Sequence, residues 1–202
     1  MATASKTKLE QGSERRDEIL KIAARLIAKR GYSATTVRDI AEEAGILSGS
    51  LYHHFSSKES MLQEILHDFM DRLLARYEEI AAEAADPRAG LDGLVEYAFE
   101  TIDREPAAVG LYQNEAAFLA TQPGFEFLLA ESERVEKIWI DQLATGQASG
   151  VFRPENDPAV TYRFIRDAVW STVRWYRPGG RHTISEVKTQ FLRLLHDGLR
   201  AE

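Results

Sequence analysis

Residues 34–61 read ATTVRDIAEEAGILSGSLYHHFSSKESM, and the spacing of hydroxyl, carboxylate and glycine in them decides the fold. The Thr36 hydroxyl can accept from the N–H of Asp39, whose carboxylate can return the bond, a capping box that opens a helix through Val37, Ile40, Ala41 and Ala44. Gly45 stops it. The next helix is expected from Ser48 to Phe55, and Ser56 with Glu59 forms a second box opening a long helix with Met61, Leu62, Ile65, Leu66, Phe69 and Leu73 inward. Upstream, Ile19, Ile22, Ala23, Leu26 and Ile27 recur at three- and four-residue spacing, and Gly31 stands where a left-handed C-terminal cap belongs. Downstream, the pattern predicts helices over 90–104, 107–121, 125–149, 158–177 and 183–201. Asp86-Pro87, Pro106, Pro123-Gly124, the 150–158 stretch and Pro178-Gly179-Gly180 supply the breaks. No strand is predicted. The expectation is an all-α chain of about nine helices.

Three short helices with a glycine turn between the second and third form a helix-turn-helix, whose last helix enters the major groove of DNA. Gly45, Leu51, Tyr52, Phe55, Lys58 and Glu59 occupy positions at which the segment resembles the DNA-binding part of TetR-family transcriptional repressors. Gly49, flanked by Ser48 and Ser50, lets the helix start approach base edges closely. Tyr52 and His53 have the reach for phosphate oxygens, and Lys58 stands at a helix N-terminus that favours an anion. Thr36 and Arg38 open the second helix and are read as contacts to a phosphate and a base edge. Leu47 departs from the family, where a Ser or Thr caps the recognition helix; either Ser48 caps in its place or Leu47 meets a thymine methyl. Leu51, Phe55, Ile40 and Ala41 read as core.

The charge distribution supports that division. The 202 residues carry a net charge of −7, yet residues 1–60 hold ten Lys/Arg against eight Asp/Glu, a mildly basic head on an acidic body. Residues 1–12 are expected as a disordered basic arm, 13–58 as the helix-turn-helix domain and 59–202 as an effector-binding and dimerisation domain. Hydrophobic residues at 44% and charged residues at 28% suit a globular chain, and the absence of cysteine removes thiolate chemistry and Cys-ligated metals. With no apolar leader or span visible, a soluble cytoplasmic protein with no membrane partner is expected.

The second unusual stretch is YRFIRDAVWSTVRWYRPGG, Tyr162–Gly180. On one helix, Arg163, Arg166, Trp170, Arg174 and Arg177 would share an arc of about 80°. That stripe is either a solvated basic face or an anion-recognition strip in which guanidinium forks take phosphate and the indole stacks on a ring. Together, ILSGSLYHHF and this stretch are similar to the acyl-CoA-responsive repressors of the cholesterol ring-degradation regulon, and the similarity includes Tyr112–Ala116 and Gly150–Pro154. What it implies is an effector that is the CoA thioester of a partly degraded steroid, with no cofactor. Arg166 and Trp170, then Arg163, Arg174 and Tyr112, are the candidate effector residues. Tyr97, Phe99, Phe118, Phe125, Phe127 and Trp139 line an apolar pocket or simply fill the core.

The last helix sets Ile184, Val187, Phe191, Leu194, Leu195, Gly198 and Leu199 on one stripe, and family similarity implies a four-helix dimer interface there with Trp175. The expected unit is a homodimer on a pseudo-palindromic duplex, repressing until the effector binds. A same-fold repressor answering an uncharged apolar compound is the other reading. An enzyme is not expected: Glu64-x-x-His67 is one di-iron half-motif without its mate, and there is no phosphate loop, nucleophile elbow or HExxH.

Overall fold

The computed structural model describes residues 2–199, with side chains described for 13–198. Among these residues the chain forms nine α-helices, one 3₁₀ turn and no strand. The helices are α1 Ala2–Arg30, α2 Val37–Glu43, α3 Ser48–Leu51, α4 Lys58–Glu83, α5 Pro87–Arg104, α6 Pro106–Leu119, α7 Phe127–Ala148, α8 Pro158–Trp170 and α9 Ile184–Leu199.

Local chemistry sets most boundaries. Gly31 closes α1 at φ +88 and Gly45 closes α2 at φ +66, both in the left-handed region that a side chain disfavours. Thr36 and Asp39 make the expected capping box. Asp86 caps α5 with Pro87 in its first turn, so that helix starts three residues before the expected 90. Thr183 and Glu186 exchange the bonds that open α9.

Four expectations are corrected. Residues 2–12, read as a disordered arm, continue α1; ATASKTKLEQ is built almost entirely of tolerable helix formers and contains no proline. The box that opens α4 is Ser57 with Ser60, not Ser56 with Glu59, because the Glu59 carboxylate is taken by the Tyr32 hydroxyl at 2.5 Å. The third helix ends at Leu51 and passes into a turn before Phe55. Most consequentially, α8 stops at Trp170 rather than 177. The hydroxyls of Ser171 and Thr172 both donate back to the Ala168 carbonyl, residues 171–174 tighten into a 3₁₀ turn, and the Tyr176 hydroxyl ties the following chain to Asp103 at 2.5 Å. Residues 200–202, the end of the expected last helix, lie outside the described residues.

The core runs unbroken from head to body because α4 serves both. Met61 and Leu62 join Ile19, Ile27, Ile40, Ala41, Leu51 and Phe55, while Phe69, Leu73 and Tyr77 join Leu94, Phe99 and Trp139, all in one buried cluster. Within the body α4 and α7 lie side by side in the same direction, with His67 against Phe127, Glu78 on Arg134 and Tyr77 against Trp139. The return from α7 to α8 depends on Gly146, where an added Cβ would lie 2.1 Å from the Phe152 ring. Gly146→Ala is therefore expected to destabilise the protein by about 1–3 kcal/mol, the usual cost of overpacking, read as a fall of several degrees in thermal unfolding; an unchanged Tm would mean that Phe152 moves aside freely.

Candidate functional site

The head presents α3 outward on a core of Leu51 and Phe55. Leu47 is the N-cap residue of α3, makes no side-chain cap and is 80% exposed. Of the two readings for this departure the capping substitute falls away, since Ser48 lies inside the helix, and an exposed leucine is left at its tip. Gly49 is exposed with nothing within 4 Å of an added Cβ, so its smallness answers no packing demand of the chain itself. Arg38, Tyr52 and His53 are exposed beside it, and Ser48 and Ser50 are half-buried.

Two of the proposed phosphate contacts are spent inside the chain. The Lys58 ammonium donates to the carbonyls of Tyr32 and Thr35 at 2.7 Å each and sits 3.9 Å over the Tyr32 ring. Lys58 is thus a clamp on the α1–α2 loop rather than a free cation at a helix tip. The Thr36 hydroxyl donates to Asp39 while accepting from its N–H, which leaves it no proton for a phosphate. The basic excess of the head is likewise internal in large part. Arg15 donates to the Ala44 carbonyl at the end of α2, Arg16 pairs with Glu64, Arg25 with Glu43 and Arg30 with Asp39.

The same loop is where head meets body. The Tyr32 N–H donates to Oε1 of Glu115 on α6 at 2.9 Å, and its hydroxyl goes to Glu59. Burial and that carboxylate both raise the Tyr32 phenol above its usual range, and the bond in turn holds the Glu59 carboxyl low. Sequence reading missed Glu115 because its partner is a backbone group 83 residues away.

Glu115 shares α6 with residues that open a cavity of about 380 Å³ between α4, α6, α7 and α8. Leu73, Leu128 and Val135 supply apolar wall, Ala116, Ala117 and Ala120 supply room, Tyr112, Tyr162, Arg166 and Trp170 bring aromatic and cationic groups, and Glu136 and Asp167 bring carboxylates. Ser132 donates to the Leu128 carbonyl at 2.6 Å, so the Tyr112 hydroxyl is the donor in its 2.7 Å bond to Ser132. Arg166 holds Asp167 through Nε at 2.8 Å and lies 5.7 Å over the Tyr162 ring, a contact that uses one of its five N–H groups on the carboxylate.

Three of the five proposed effector residues, Arg166, Trp170 and Tyr112, therefore meet in one cavity. Arg163 and Arg174 do not line it; both are exposed, Arg174 because the helix that would have carried it onward ends at Trp170. Trp170 is buried rather than central to a surface stripe. Of the other aromatics, Phe99, Phe125 and Trp139 are core, and Phe118 is half exposed.

The proposed dimer residues divide too. Phe191 packs edge-on against Phe99 at 5.5 Å, and Phe191, Val187 and Leu195 all rest partly buried on the core of their own chain. Leu194 at 74% and Trp175 at 57% exposure face outward, together with Phe164 at 74%. Leu194 and Phe164, with the half-buried Leu195 and with Val160, line a groove between α8 and α9. Among the described residues no helix is long and apolar enough to cross a membrane, and no group of three or more His, Asp or Glu residues is placed to hold a metal.

Residues 19–65 match the family of bacterial regulatory proteins called tetR, and 84–199 match a tetracycline-repressor-like C-terminal domain. The chain is 48% identical to the HTH-type transcriptional repressor KstR2 of Mycobacterium tuberculosis over 95% of its own length and 96% of that relative's. The structure of that organism's ketosteroid transcriptional regulator KstR2 superposes with a TM-score of 0.91 at 49% identity, covering 93% of this chain and 96% of the other. The regulator AibR, solved with isovaleryl coenzyme A and operator DNA, superposes at 0.79 with 26% identity, covering 89% and 97%.

Two substitutions separate contact from support in the head. Gly49→Ala is expected to leave thermal stability intact while weakening binding to a selected operator duplex at least tenfold, measured by fluorescence anisotropy. Lys58→Met is expected to lower stability by about 1–3 kcal/mol, as for lost hydrogen bonds to a charged group, and to leave the salt slope of DNA binding unchanged. A slope shallower by about 0.9 would return that ammonium to a phosphate.

Proposed function

Because this chain belongs to the tetR family of bacterial regulatory proteins, and is a transcriptional repressor of that type similar to KstR2, we propose that a CoA thioester of a steroid-degradation intermediate releases it from a pseudo-palindromic operator that it holds as a cytoplasmic homodimer. The observation that carries this reading is the meeting of Arg166, Trp170 and Tyr112 in one cavity whose remaining wall is largely leucine, valine and alanine, with Gln113, Ser132, Glu136 and Asp167 as its other polar groups. About 380 Å³ is near the lower end for a small-molecule site. It suits a compact apolar acyl body and is too small for a whole CoA thioester, whose phosphates would stay at the mouth with Arg166 and the exposed Arg163. Guanidinium forks match phosphate oxygens there, and the indole edge of the cavity offers a face to a planar ring.

Two copies would meet through α8 and α9. Phe164, Leu194 and Trp175 expose large apolar side chains on that part of the body, and water contact on so much apolar surface is relieved when a second copy covers it.

The coupling from effector to DNA runs along α6. Tyr112, Gln113 and Ala116 face the cavity, and Glu115 between them holds the Tyr32 N–H. A body that enters beside Ala116 pushes this helix, and the loop fastened by Glu115, Lys58 and Glu59 carries the displacement to α1 and α2. A hundredfold loss of operator affinity needs about 2.7 kcal/mol of preference of the effector for the displaced state.

One observation favours a neutral effector instead: Arg163 and Arg174 are exposed, and Arg166 already pairs with Asp167. Release assays distinguish the two. Steroid-derived acyl-CoA thioesters are expected to free the operator duplex, while the free acids and neutral steroids are expected to leave it bound. Equal potency of acids or neutral steroids would sink the thioester reading. Arg166→Met is expected to keep operator affinity and lose the response, with at least a tenfold higher thioester concentration for half release.

A further inference from the structure

Tyr77 is fully buried, at 0% exposure, and its hydroxyl proton meets no acceptor among the described residues; the Trp139 indole N–H beside the hydroxyl can donate to it but cannot accept. Its ring stands edge-on to Trp139 at 5.6 Å and to Tyr97 at 5.8 Å. A buried donor left without an acceptor is destabilising, and phenylalanine would fill the same volume without that cost.

The place of this hydroxyl is set by the helices around it. Leu73 on α4 and Val135 on α7 line the cavity, and Tyr77 and Trp139 follow each of them by four residues. Since α4 and α7 run in the same direction, both steps lead one turn further the same way. Tyr162 on α8 lines the cavity as well, and its ring lies 6.2 Å from Trp139. Tyr77, Trp139 and Tyr162 therefore form the layer that closes this end of the cavity, and the orphan hydroxyl sits in that layer.

We propose that Tyr77 is the deep hydrogen-bond donor of the effector site, reading a carbonyl oxygen at the buried end of the acyl body, and that it makes the protein select an oxo-substituted effector over its deoxygenated counterpart. This rests on the proposed effector cavity. Entry of the acyl body displaces the Tyr162 ring, and the ligand oxygen then meets a phenol that burial keeps in its protonated, donating form. A site that offers an otherwise unpaired donor discriminates strongly against a ligand lacking the acceptor. The Tyr162 hydroxyl and the Glu136 carboxylate also lie at this end of the wall, so removal of the Tyr77 hydroxyl alone is what assigns the preference to one atom.

The test uses the full-length protein on its operator duplex, with 3-(4-oxocyclohexyl)propanoyl-CoA and 3-cyclohexylpropanoyl-CoA as probes. The unsubstituted protein is expected to release at lower concentrations of the oxo thioester. Tyr77→Phe is expected to raise the half-release concentration of the oxo thioester about tenfold, leave that of the deoxy thioester within twofold, and keep operator affinity and Tm of the free protein unchanged or slightly higher. Equal shifts for both probes overturn the proposal. So does a fall of several degrees in the Tm of free Tyr77→Phe, which would place a structural partner, such as a bound water, on the hydroxyl. If neither thioester acts on the unsubstituted protein, the thioester reading falls. Calorimetric titration of 4-propylcyclohexanone against propylcyclohexane then decides Tyr77 by itself: a preference for the ketone that Tyr77→Phe abolishes upholds the donor, and its absence overturns it.

Discussion

The six-residue connection between α1 and α2 is the joint on which the molecule depends. It leaves α1 at Gly31 and is held from three sides, by the Lys58 ammonium on two of its carbonyls, by Glu59 on the Tyr32 hydroxyl and by Glu115 on the Tyr32 N–H. Thr35 adds a bond back to the Gly31 carbonyl from a fully buried position. Two of those braces come from the first turn of α4 and one from the middle of α6. A loop this short cannot absorb strain internally, so any shift of α6 relative to α4 is passed to the helices that face outward from the head. The interactions are individually modest, and hydrogen bonds to charged groups contribute about 1.5–3 kcal/mol each. Their shared target is what makes them a joint.

Charge in this protein is used mostly for assembly. The basic excess of residues 1–60 suggests a surface made for polyanions, yet Arg15, Arg16, Arg25, Arg30 and Lys58 are all engaged within the chain. Pairs such as Arg25 with Glu43 lie at the surface, where they add little stability and are screened by salt. Their effect is orientational: they fix α2 against α1, and with it the pitch at which α3 is offered to a groove. The body is tied together in the same way, by Arg72 with Asp68 and Glu105, Arg134 with Glu78 and Lys188 with Glu96, and it also sets the half-buried Arg166 on the wall of a cavity and keeps Tyr77 fully buried one turn beyond Leu73.

The helices and their ends were legible from local chemistry. Capping by Thr36, Gly31 and Gly45 acts within four residues, and the apolar spacing of α1, α4 and α5 states which face turns inward. The recognition segment was legible for the same reason, since Gly45, Leu51 and Phe55 play parts defined by short spacing. What failed was extrapolation of a helix through Ser171 and Thr172. Their hydroxyls compete for the Ala168 carbonyl, and the arginine stripe depended on an uninterrupted 3.6-residue period through that point. Likewise Lys58 read as a free cation because its acceptors, the carbonyls of Tyr32 and Thr35, are backbone groups that no side-chain pattern advertises.

The sequence by itself determined an all-α chain, a helix-turn-helix at its head, and the residue types available for recognition, because periodicity, caps and glycine turns are written at short range. Only the tertiary structure decided which of those residues meet. It brought Tyr112 of α6 to Arg166 and Trp170 of α8, turned Phe191 inward onto Phe99 of α5 while leaving Leu194 outside, and joined Glu115 to a loop far away in the chain. Such pairings follow from how whole helices pack against one another, and packing is settled by the summed shape of many side chains rather than by any local run of them.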